Sequence, residues 1–428
     1  MNKRKENQNL KIRRILDKKI LQLVLEKERY REILKETKEI TQKLIAASKK
    51  TKLSVFIGGS MAKKTMLNKE KMDVDLFVRF ENNKDLQKFS QIMKMTKEEY
   101  SLVHGSRDYA QIQRKRILFE IIPTIKVSNP KKAENITDLS YFHVNYVRKK
   151  INAKPKLSEE IILAKAFAHG AGCYGAESYI QGFSGYSIEL LIIHYGSFTK
   201  FIKIMADYEG KKVVIDTEGY YKGKNALVEI NESKLHSPIV LVDPTYKERN
   251  ALAALSNETL QKFRKHSQAF LRNPSEKYFE PRTINEEELR KKALVQKKDF
   301  GIITFTTQKQ SGDIAGTKLL KFSKVLAEKL EEYFKNASTE FEYDQKQTAK
   351  LYFLAKPINK KIIRGPPVKM SEHSEKFRKE HKKTYLKNGR LYTEIKLDYK
   401  IQRALKEIQK KYPNLMKEMG IVELKLKS

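Results

Sequence analysis

The sequence predicts a multidomain protein of the α+β class. Its 428 residues are more than one hydrophobic core usually organises, because single cores rarely grow beyond roughly 250–300 residues. Apolar residues recur at helical spacing near the N-terminus and at strand spacing in later segments. Beyond Pro274 and Pro281 a strand, a helix and another strand are predicted in turn, which indicates a separate small α/β module.

The charge balance is strongly basic. Eighty-eight lysines and arginines outnumber 52 acidic residues, which gives a formal net charge of +36. Such an excess predicts a polyanionic partner, either nucleic acid or an anionic membrane surface. No feature of the sequence other than the charge supports the membrane surface. No apolar run reaches the roughly 18–20 residues that span a bilayer, and the single cysteine, Cys173, cannot form an internal disulfide. We therefore expect a cytoplasmic protein that is not bound to a membrane.

The N-terminal segment is predicted to be helical. Between Leu10 and Ala47 apolar residues recur every three or four positions, and lysines and arginines occupy the outer faces. This pattern is typical of one or two amphipathic helices.

The next segment combines a turn of small residues with two closely spaced acids. A predicted strand, 55–57, precedes a Gly-Gly-Ser turn that contains Gly59 and Ser60, and a second strand carries Asp73 and Asp75. Because side chains alternate along a strand, both carboxylates leave the sheet on the same side. Two such acids alone are more often a solvated sheet edge, but beside the N–H groups of a tight turn they can hold a divalent cation against a triphosphate. The combined pattern resembles the signature of the nucleotidyltransferase superfamily that contains polymerase beta and poly(A) polymerase.

A third acid lies in a later predicted strand, Arg116 to Val127. Glu120 alternates with Phe119 and Ile121, so its carboxylate points away from the face that these two residues share. A lone glutamate in a strand usually marks the solvated face, but two-metal nucleotidyl transfer needs a third carboxylate from a neighbouring strand. Pro123 is expected to end the strand pairing shortly after Glu120.

Several stretches, in order along the chain, narrow the resemblance to one family. They are GGSMAKKT with DVDLF, FEIIP, TDLSYFHVNYV, KAFAHGAGCYGAESYIQGFSGYSIELLIIHYGSF, VDPTYKERNALAALS and, near the C-terminus, IIRGPPV. Together they resemble the archaeal-type (class I) CCA-adding enzymes, which are tRNA nucleotidyltransferases, over most of the chain. The long block beginning KAFAHG is the most specific, because we do not expect it in a poly(A) polymerase.

The resemblance implies roles for residues that are ambiguous by themselves. A lysine on a helix is usually solvated, a histidine between apolar neighbours is usually a satisfied half-buried residue, and an arginine at a helix start often forms a surface ion pair. In the family, His143 contacts the bound nucleotide, and Arg249, predicted here at a helix start, lies at the base and helps to select C or A. The residues implied to bind the triphosphate are Gly59, Ser60, Lys63, Lys165 and Tyr174.

The chain departs from the family's pattern at a few positions. Lys63 stands where the family usually has arginine, and Glu120 where it usually has aspartate. Leu139 and Tyr141 interrupt the usual Asp-Arg-Ser/Thr-Pro run. The longer Glu120 side chain shifts its carboxylate oxygens by about one ångström, which affects rate or metal preference but removes no metal ligand.

By the same resemblance the chain has three parts. Residues 1–140 are expected to form an N-terminal helix and a polymerase beta-like nucleotidyltransferase palm, or head. Residues 141–275 are expected to form a helical central domain, or neck, of the poly(A)-polymerase type. Residues 276–428 are expected to form an α/β body and tail that bind the acceptor stem and TΨC arm of tRNA.

The resulting hypothesis is template-independent addition of C, C and A to the tRNA 3′ end from CTP and ATP, with release of pyrophosphate. Asp73, Asp75 and Glu120 are the catalytic residues in this hypothesis and hold two Mg²⁺ ions. Two alternatives stay open: a poly(A)- or oligo(U)-type tailing enzyme, and a catalytically inactive RNA-binding protein on the same fold. The sequence also leaves open whether the protein forms a homodimer and whether it adds all of CCA.

Overall fold

The computed structural model describes residues 2–48, 51–105, 107–308, 312–358, 360–396 and 399–427. The chain divides into two compact units, Met1–Arg282 and Thr283–Ser428. This division falls close to the boundary predicted after residue 275. Within the described ranges no helix is long and apolar enough to cross a membrane.

The first unit contains both helices and short sheets. Its helices are α1 (Asn2–Leu23), α2 (Lys27–Ala47), α3 (Gly59–Ala62), α4 (Asn83–Leu86), α5 (Phe89–Met95), α6 (Ser140–Ala153), α7 (Leu157–Gly170), α8 (Gly185–Tyr195), α9 (Phe198–Ala206), α10 (Ala226–Glu229) and α11 (Asn257–Arg272). Its strands are β1 (Leu53–Ile57), β2 (Met72–Phe80), β3 (Ser101–Val103), β4 (Tyr109–Arg114), β5 (Ile117–Ile125), β6 (Val213–Ile215), β7 (Ile239–Asp243) and β8 (Tyr246–Asn250).

A five-stranded mixed sheet with the order β1-β2-β5-β4-β3 forms the predicted palm. Strands β2 and β5 are parallel, and the other neighbours are antiparallel. One face of the sheet packs on α2 and α5 through a core that includes Val74, Leu76 and Phe119. The burial of alternate residues leaves the intervening acids of β2 on the opposite face, as the strand periodicity predicts.

Pro123 does not end the pairing of β5, so that prediction was wrong. The strand continues to Ile125, and Pro123 pairs in register with Val78 of β2. Strand β4 pairs with β5 only between Ile117 and Ile121. Pro123 therefore lies beyond the end of β4, where no ladder partner needs the N–H that proline lacks.

The rest of the first unit is organised around a helical core. Phe167 of α7 lies at its centre and contacts several other phenylalanine rings, those of Phe198, Phe263, Phe270 and Phe279. Helix α1 joins this core through Ile12 and packs on α7. Grouping the first helix with the palm was therefore wrong for α1, because its apolar stripe faces α7; only α2 packs on the palm core.

The second unit is an α/β module, as the alternating pattern predicts. Its elements are α12 (Glu286–Val295), β9 (Asp299–Thr307), α13 (Gly312–Leu330), β10 (Phe334–Tyr343), β11 (Thr348–Pro357), β12 (Lys360–Pro367), α14 (Ser371–Glu380), β13 (Thr384–Lys387), β14 (Arg390–Lys396), α15 (Ile401–Lys411), α16 (Leu415–Glu418) and β15 (Ile421–Lys427). A four-stranded sheet, β10-β11-β9-β15, packs on α13 and α15 with one face and on α12 with the other. A three-stranded sheet, β12-β14-β13, carries α14 beside it.

Candidate active site

A cleft of about 300 Å³ lies in the first unit. It is lined by residues of β2, α3, α7, α8 and the connecting segments: Gly59, Ser60, Lys63, Thr65, Met66, Leu67, Lys69, Lys71, Met72, Asp73, Asp75, Lys165, Tyr174, Gly185, Tyr186 and Glu189. Most of the predicted site residues are among them. Glu120, His143 and Arg249 are outside this lining.

The three predicted catalytic carboxylates lie on neighbouring strands. Asp73 and Asp75 share one side of β2, and Glu120 of β5 is the register partner of Asp75. On its other side Glu120 pairs in register with Gln111 of β4, whose Nε2 donates to Oε1 of Glu120 at 2.9 Å. The parallel pairing of β2 and β5 thus brings Glu120 beside Asp75, although the two acids are far apart in sequence.

The surroundings disfavour negative charge on all three acids. Burial raises the pKa of Asp73, and Lys69 offsets this only in part. Burial also raises the pKa of Asp75 by more than the charge of Lys63 lowers it. Burial, followed by the charge of Asp75, raises the pKa of Glu120 to about 7. The positive charge near this face of β2 and β5 is therefore too small to compensate three ionised carboxylates.

The donor set fits Mg²⁺. Among the described residues, no group of three or more His, Cys, Asp or Glu side chains is arranged so that it could hold a metal ion by itself. Mg²⁺, however, usually takes one or two carboxylates and completes its octahedral shell with water and substrate phosphate oxygens. Two aspartates on one face of a strand, with raised pKa values, suit such a cation because it supplies the missing positive charge.

Two glycines let the turn after β1 approach β2. Gly59 has φ +55°, and a Cβ at this position would lie 1.6 Å from Oδ2 of Asp75. A Cβ on Gly58 would lie 2.1 Å from the ring of Phe77. The amide of Gly58 donates to the carbonyl oxygen of Asp75 at 2.8 Å. The turn therefore needs glycine at residue 59, both for its backbone conformation and for the space that Asp75 occupies.

Glu189 of α8 binds both lysines that the resemblance assigns to the triphosphate. Its side chain is fully buried; Oε2 accepts from Nζ of Lys63 at 2.6 Å, and Oε1 accepts from Nζ of Lys165 at 2.8 Å. The hydroxyl of Thr65 donates to Oε1 at 3.0 Å and accepts from Lys165 at 2.9 Å. Burial alone would raise the pKa of Glu189, but the two lysines hold it below its ordinary value.

Tyr174 lies at the cleft between Gly185 and His169. A Cβ on Gly185 would lie 2.8 Å from the hydroxyl of Tyr174. The ring of Tyr174 stacks on His169 with the centroids 4.0 Å apart, and Nε2 of His169 lies 3.5 Å from Nζ of Lys69. Burial, together with Lys69, lowers the pKa of His169 to about 4, so its ring is neutral at pH 7. Burial raises the pKa of Tyr174, which keeps its hydroxyl protonated as a donor.

His143 and Arg249 meet at Asp243, at the end of β7. Nε2 of His143 lies 3.1 Å from Oδ2 of Asp243, and Nη1 of Arg249 donates to the same oxygen at 2.6 Å. The hydroxyl of Tyr186 donates to Oδ1 of Asp243 at 3.0 Å, and its ring stacks on His143. Burial would raise the pKa of Asp243, but His143 and Arg249 hold it well below its ordinary value. Because Tyr186 also lines the cleft, this cluster adjoins the cleft.

Arg249 lies in strand β8, so the predicted helix start at this position was wrong. The backbone N–H of Thr245 donates to Oδ1 of Asp243 at 2.8 Å, and Asp243 pairs with Tyr246. Asp243 thus closes a tight turn that reverses the chain into β8.

The interrupted Asp-Leu-Ser-Tyr run contains a buried acid with several donors. Asp138 accepts from the backbone N–H groups of Ile125 at 2.8 Å and Asn135 at 3.1 Å. Nη1 of Arg107 donates to it at 2.5 Å. Leu139 is apolar and buried, so this position carries no charged side chain where the family usually has arginine. Arg107, from the β3–β4 connection, provides the guanidinium that pairs with Asp138.

Sequence reasoning missed the acids that organise the basic residues. Glu189 lies inside an apolar helix and Asp243 at the end of an apolar strand, and neither received a role. The available signal was the isolation of each acid among apolar neighbours, since a buried carboxylate requires cationic or hydrogen-bonding partners. His169 was missed as well, and its stacking on Tyr174 left no trace in the local sequence pattern.

Comparisons with known proteins agree with this architecture. The structure of the Cid1 poly(U) polymerase bound to MgATP matches with a TM-score of 0.50 over 63% of this chain and 98% of that chain. At 12% sequence identity, the match shows the shared fold alone. The family model described as tRNA nucleotidyltransferase, second domain, matches residues 159–280. The chain therefore has the fold of the polymerase beta-like nucleotidyltransferases.

Two archaeal relatives show the family. The CCA-adding enzyme of Nanoarchaeum equitans is 33% identical over 374 residues, which cover 84% of this chain and 87% of that protein. The CCA-adding enzyme of Methanosarcina mazei is 30% identical over 404 residues, which cover 89% of this chain and 85% of that protein. The chain belongs to the CCA-adding enzyme family of tRNA nucleotidyltransferases.

Proposed function

We propose that this protein adds C, C and A to the 3′ end of tRNA from CTP and ATP, without a template and with release of pyrophosphate. The observation that carries the proposal is the charge of the two cleft walls. Asp73 and Asp75 lie on the palm wall beside Glu120. Lys165 and Glu189 lie on the helical wall, and Lys63, which follows α3 of the palm, reaches across to Glu189. The first wall suits divalent cations and the second an anionic phosphate chain, which is the combination that nucleotidyl transfer requires. The family relationship supports tRNA as the acceptor.

The palm wall would hold the metal. Asp73 and Asp75 would bind two Mg²⁺ ions, with Glu120 completing the ligands on the acceptor side. Bound Mg²⁺ supplies Lewis acidity that activates the terminal 3′-hydroxyl and stabilises the charge on the leaving pyrophosphate. The MgATP bound to the structural neighbour supports this choice of cation. Gln111, by donating to Oε1 of Glu120 at 2.9 Å, fixes the orientation of this carboxylate.

The helical wall and the glycine turn would bind the triphosphate. Lysine ammonium groups neutralise phosphate charge, and the protonated hydroxyl of Tyr174 donates to a phosphate oxygen. The groups assigned to the triphosphate are the backbone of Gly59 and the side chains of Ser60, Lys63, Lys165 and Tyr174. His143 and Arg249 would position the sugar and base. A hydrogen bond to Asp243 holds Arg249 beside the cleft, and stacking on Tyr186 holds His143 there.

The basic surface would bind the folded tRNA. A net charge of +36 suits the phosphate backbone, and affinity should fall steeply as the salt concentration rises. Residues 276–428 would bind the acceptor stem and the TΨC arm in the cytoplasm. A minihelix that contains only these two arms should therefore be extended, whereas an anticodon stem-loop should not compete with it. Light scattering of the free protein and the complex tests for a homodimer.

The decisive experiment uses tRNA transcripts that lack one or three 3′ nucleotides, with Mg²⁺. CTP alone should add two residues to the shorter transcript, ATP alone should add one residue to the transcript ending in CC, and UTP should add none. With both nucleotides, addition should stop after CCA. Long homopolymer tails would identify a tailing enzyme, and tight tRNA binding without incorporation would identify a binding protein.

A further inference from the structure

We infer that Glu189 is a positioning residue for the nucleotide's β- and γ-phosphates, which it serves by fixing Lys63 and Lys165 relative to each other. The inference rests on the proposed function, since that function assigns the triphosphate to these lysines. Glu189 itself does not contact the substrate in this inference.

The geometry of the cluster gives each lysine its own oxygen. Nζ of Lys63 binds Oε2 at 2.6 Å and Nζ of Lys165 binds Oε1 at 2.8 Å. Thr65 bridges Oε1 and Lys165 through its hydroxyl. The two ammonium groups bind the two oxygens of one carboxylate and repel each other. The carboxylate between them offsets that repulsion and sets their spacing. Because Glu189 is a buried residue of α8, the helix and its packing hold the carboxylate in place.

The cluster also faces the substrate space. Lys63, Lys165 and Glu189 all line the cleft, which an ion pair that acts only in folding has no need to do. One carboxylate against two ammonium groups leaves an excess of one positive charge for an incoming anion. An ammonium group carries three hydrogens, and Glu189 takes one from Lys63, so the same lysine can bind Glu189 and a phosphate oxygen together.

The test is Glu189→Gln, which keeps the shape and removes the charge. We expect the KM for CTP and the competitive Ki of pyrophosphate to rise by about tenfold, whereas the Ki of CMP changes by less than about twofold. CMP has no β- or γ-phosphate, so it separates lysine positioning from general damage to the cleft. An equal loss for CMP and CTP, or no change in either, would overturn the inference.

Two further variants keep the test interpretable. Glu218→Gln is the matched control, because Glu218 forms an ion pair with Lys150 at 2.9 Å outside the cleft lining; it should leave all three constants unchanged. If Glu189→Gln does not fold, Glu189→Asp keeps the charge on a shorter side chain and should raise the KM for CTP but not the Ki of CMP. A parallel rise for CMP would again contradict the assignment.

A double-mutant cycle adds an independent arm. If Glu189 acts through Lys63, the effects of Glu189→Gln and Lys63→Met on the Ki of pyrophosphate should be much less than additive. Additive effects would show that Glu189 acts elsewhere. Failure of the wild-type protein to add CCA would instead count against the proposed function, and pyrophosphate binding measured by calorimetry would still test the role of Glu189.

Discussion

At the palm wall of the cleft, Asp75 and its neighbour Glu120 are half-buried acids whose pKa values are raised mainly by this partial burial. On the helical wall, Glu189 is a buried acid whose pKa is lowered because two lysines outweigh its burial. The walls face the same space and carry the same functional group. They differ in whether the protein itself supplies the compensating charge.

The difference concerns whether the charges of a wall are compensated before the substrate binds. The lysine cluster around Glu189 is satisfied by the chain's own hydrogen bonds, so it can be preorganised for the phosphates. Burial raises the pKa values of the palm acids, and nearby lysines offset this only in part for the aspartates. A bound cation would supply the positive charge that is missing there. The two walls should therefore respond oppositely when an acid is neutralised.

The largest effect should come from Asp75→Asn. Incorporation of CTP into tRNA that lacks CCA should fall by at least about a thousandfold, because the variant loses a carboxylate that we assign to the catalytic cation. The melting temperature without metal should stay the same or rise, since an unfavourable buried charge is removed. By contrast, Glu189→Gln should lower the melting temperature, because it leaves two buried lysines without their counter-ion.

Filter binding of tRNA and thermal unfolding in EDTA check this prediction. The affinity for tRNA should change by less than about twofold, because the basic surface is intact. A large fall in the melting temperature of Asp75→Asn would show that Asp75 is stabilised by the chain itself, and the contrast between the walls would fail.

The same contrast explains what the sequence could predict. The side of β2 that carries Asp73 and Asp75 follows from strand alternation, which is a local property. Glu120 was predicted on the correct side of its strand for the same reason. Lys63 and Glu189, however, are 126 residues apart, and no periodicity in either segment pairs them. The roles of His143 and Arg249 came from family resemblance, and the turn at Asp243 that places Arg249 in a strand was not recognised.

The second effect should come from Gly59→Ala, which changes no charge. The new Cβ would occupy the space of the Asp75 carboxylate, with a contact of 1.6 Å, at a backbone φ of +55°. Incorporation should fall by at least about a hundredfold through displacement of Asp75 or the turn. Gly196→Ala is the matched control, with φ +81° and nothing within 4 Å of the new Cβ. It should cost about 1 kcal/mol of stability and leave the kinetics unchanged; similar kinetics for the two variants would contradict the packing of the turn on Asp75.

The smallest expected effect is on the pH dependence of the unfolding free energy. The pKa of Glu120 is about 7 in the folded chain and 4.5 ordinarily, so between these values the native state binds more protons than the unfolded state. In EDTA, raising the pH through this window should therefore lower the unfolding free energy of the wild type relative to Glu120→Gln, with a slope of at most about 1.4 kcal/mol per pH unit. The difference should level off above pH 7. Denaturant titrations at several pH values measure it.

Glu189→Gln provides the comparison for this pH series. The pKa of Glu189 is lowered from its ordinary 4.5, so Glu189 is ionised in both states above that value, and its contribution is lost only as the pH falls below the window. The free-energy difference between the wild type and Glu189→Gln should consequently stay nearly flat from pH 5 to 7, while the difference for Glu120→Gln declines. Saturating Mg²⁺ should flatten the Glu120 series as well, because a cation binds the ionised carboxylate and favours it in the folded protein. Parallel slopes for the two glutamates would show that the walls of the cleft do not differ in how they compensate buried charge.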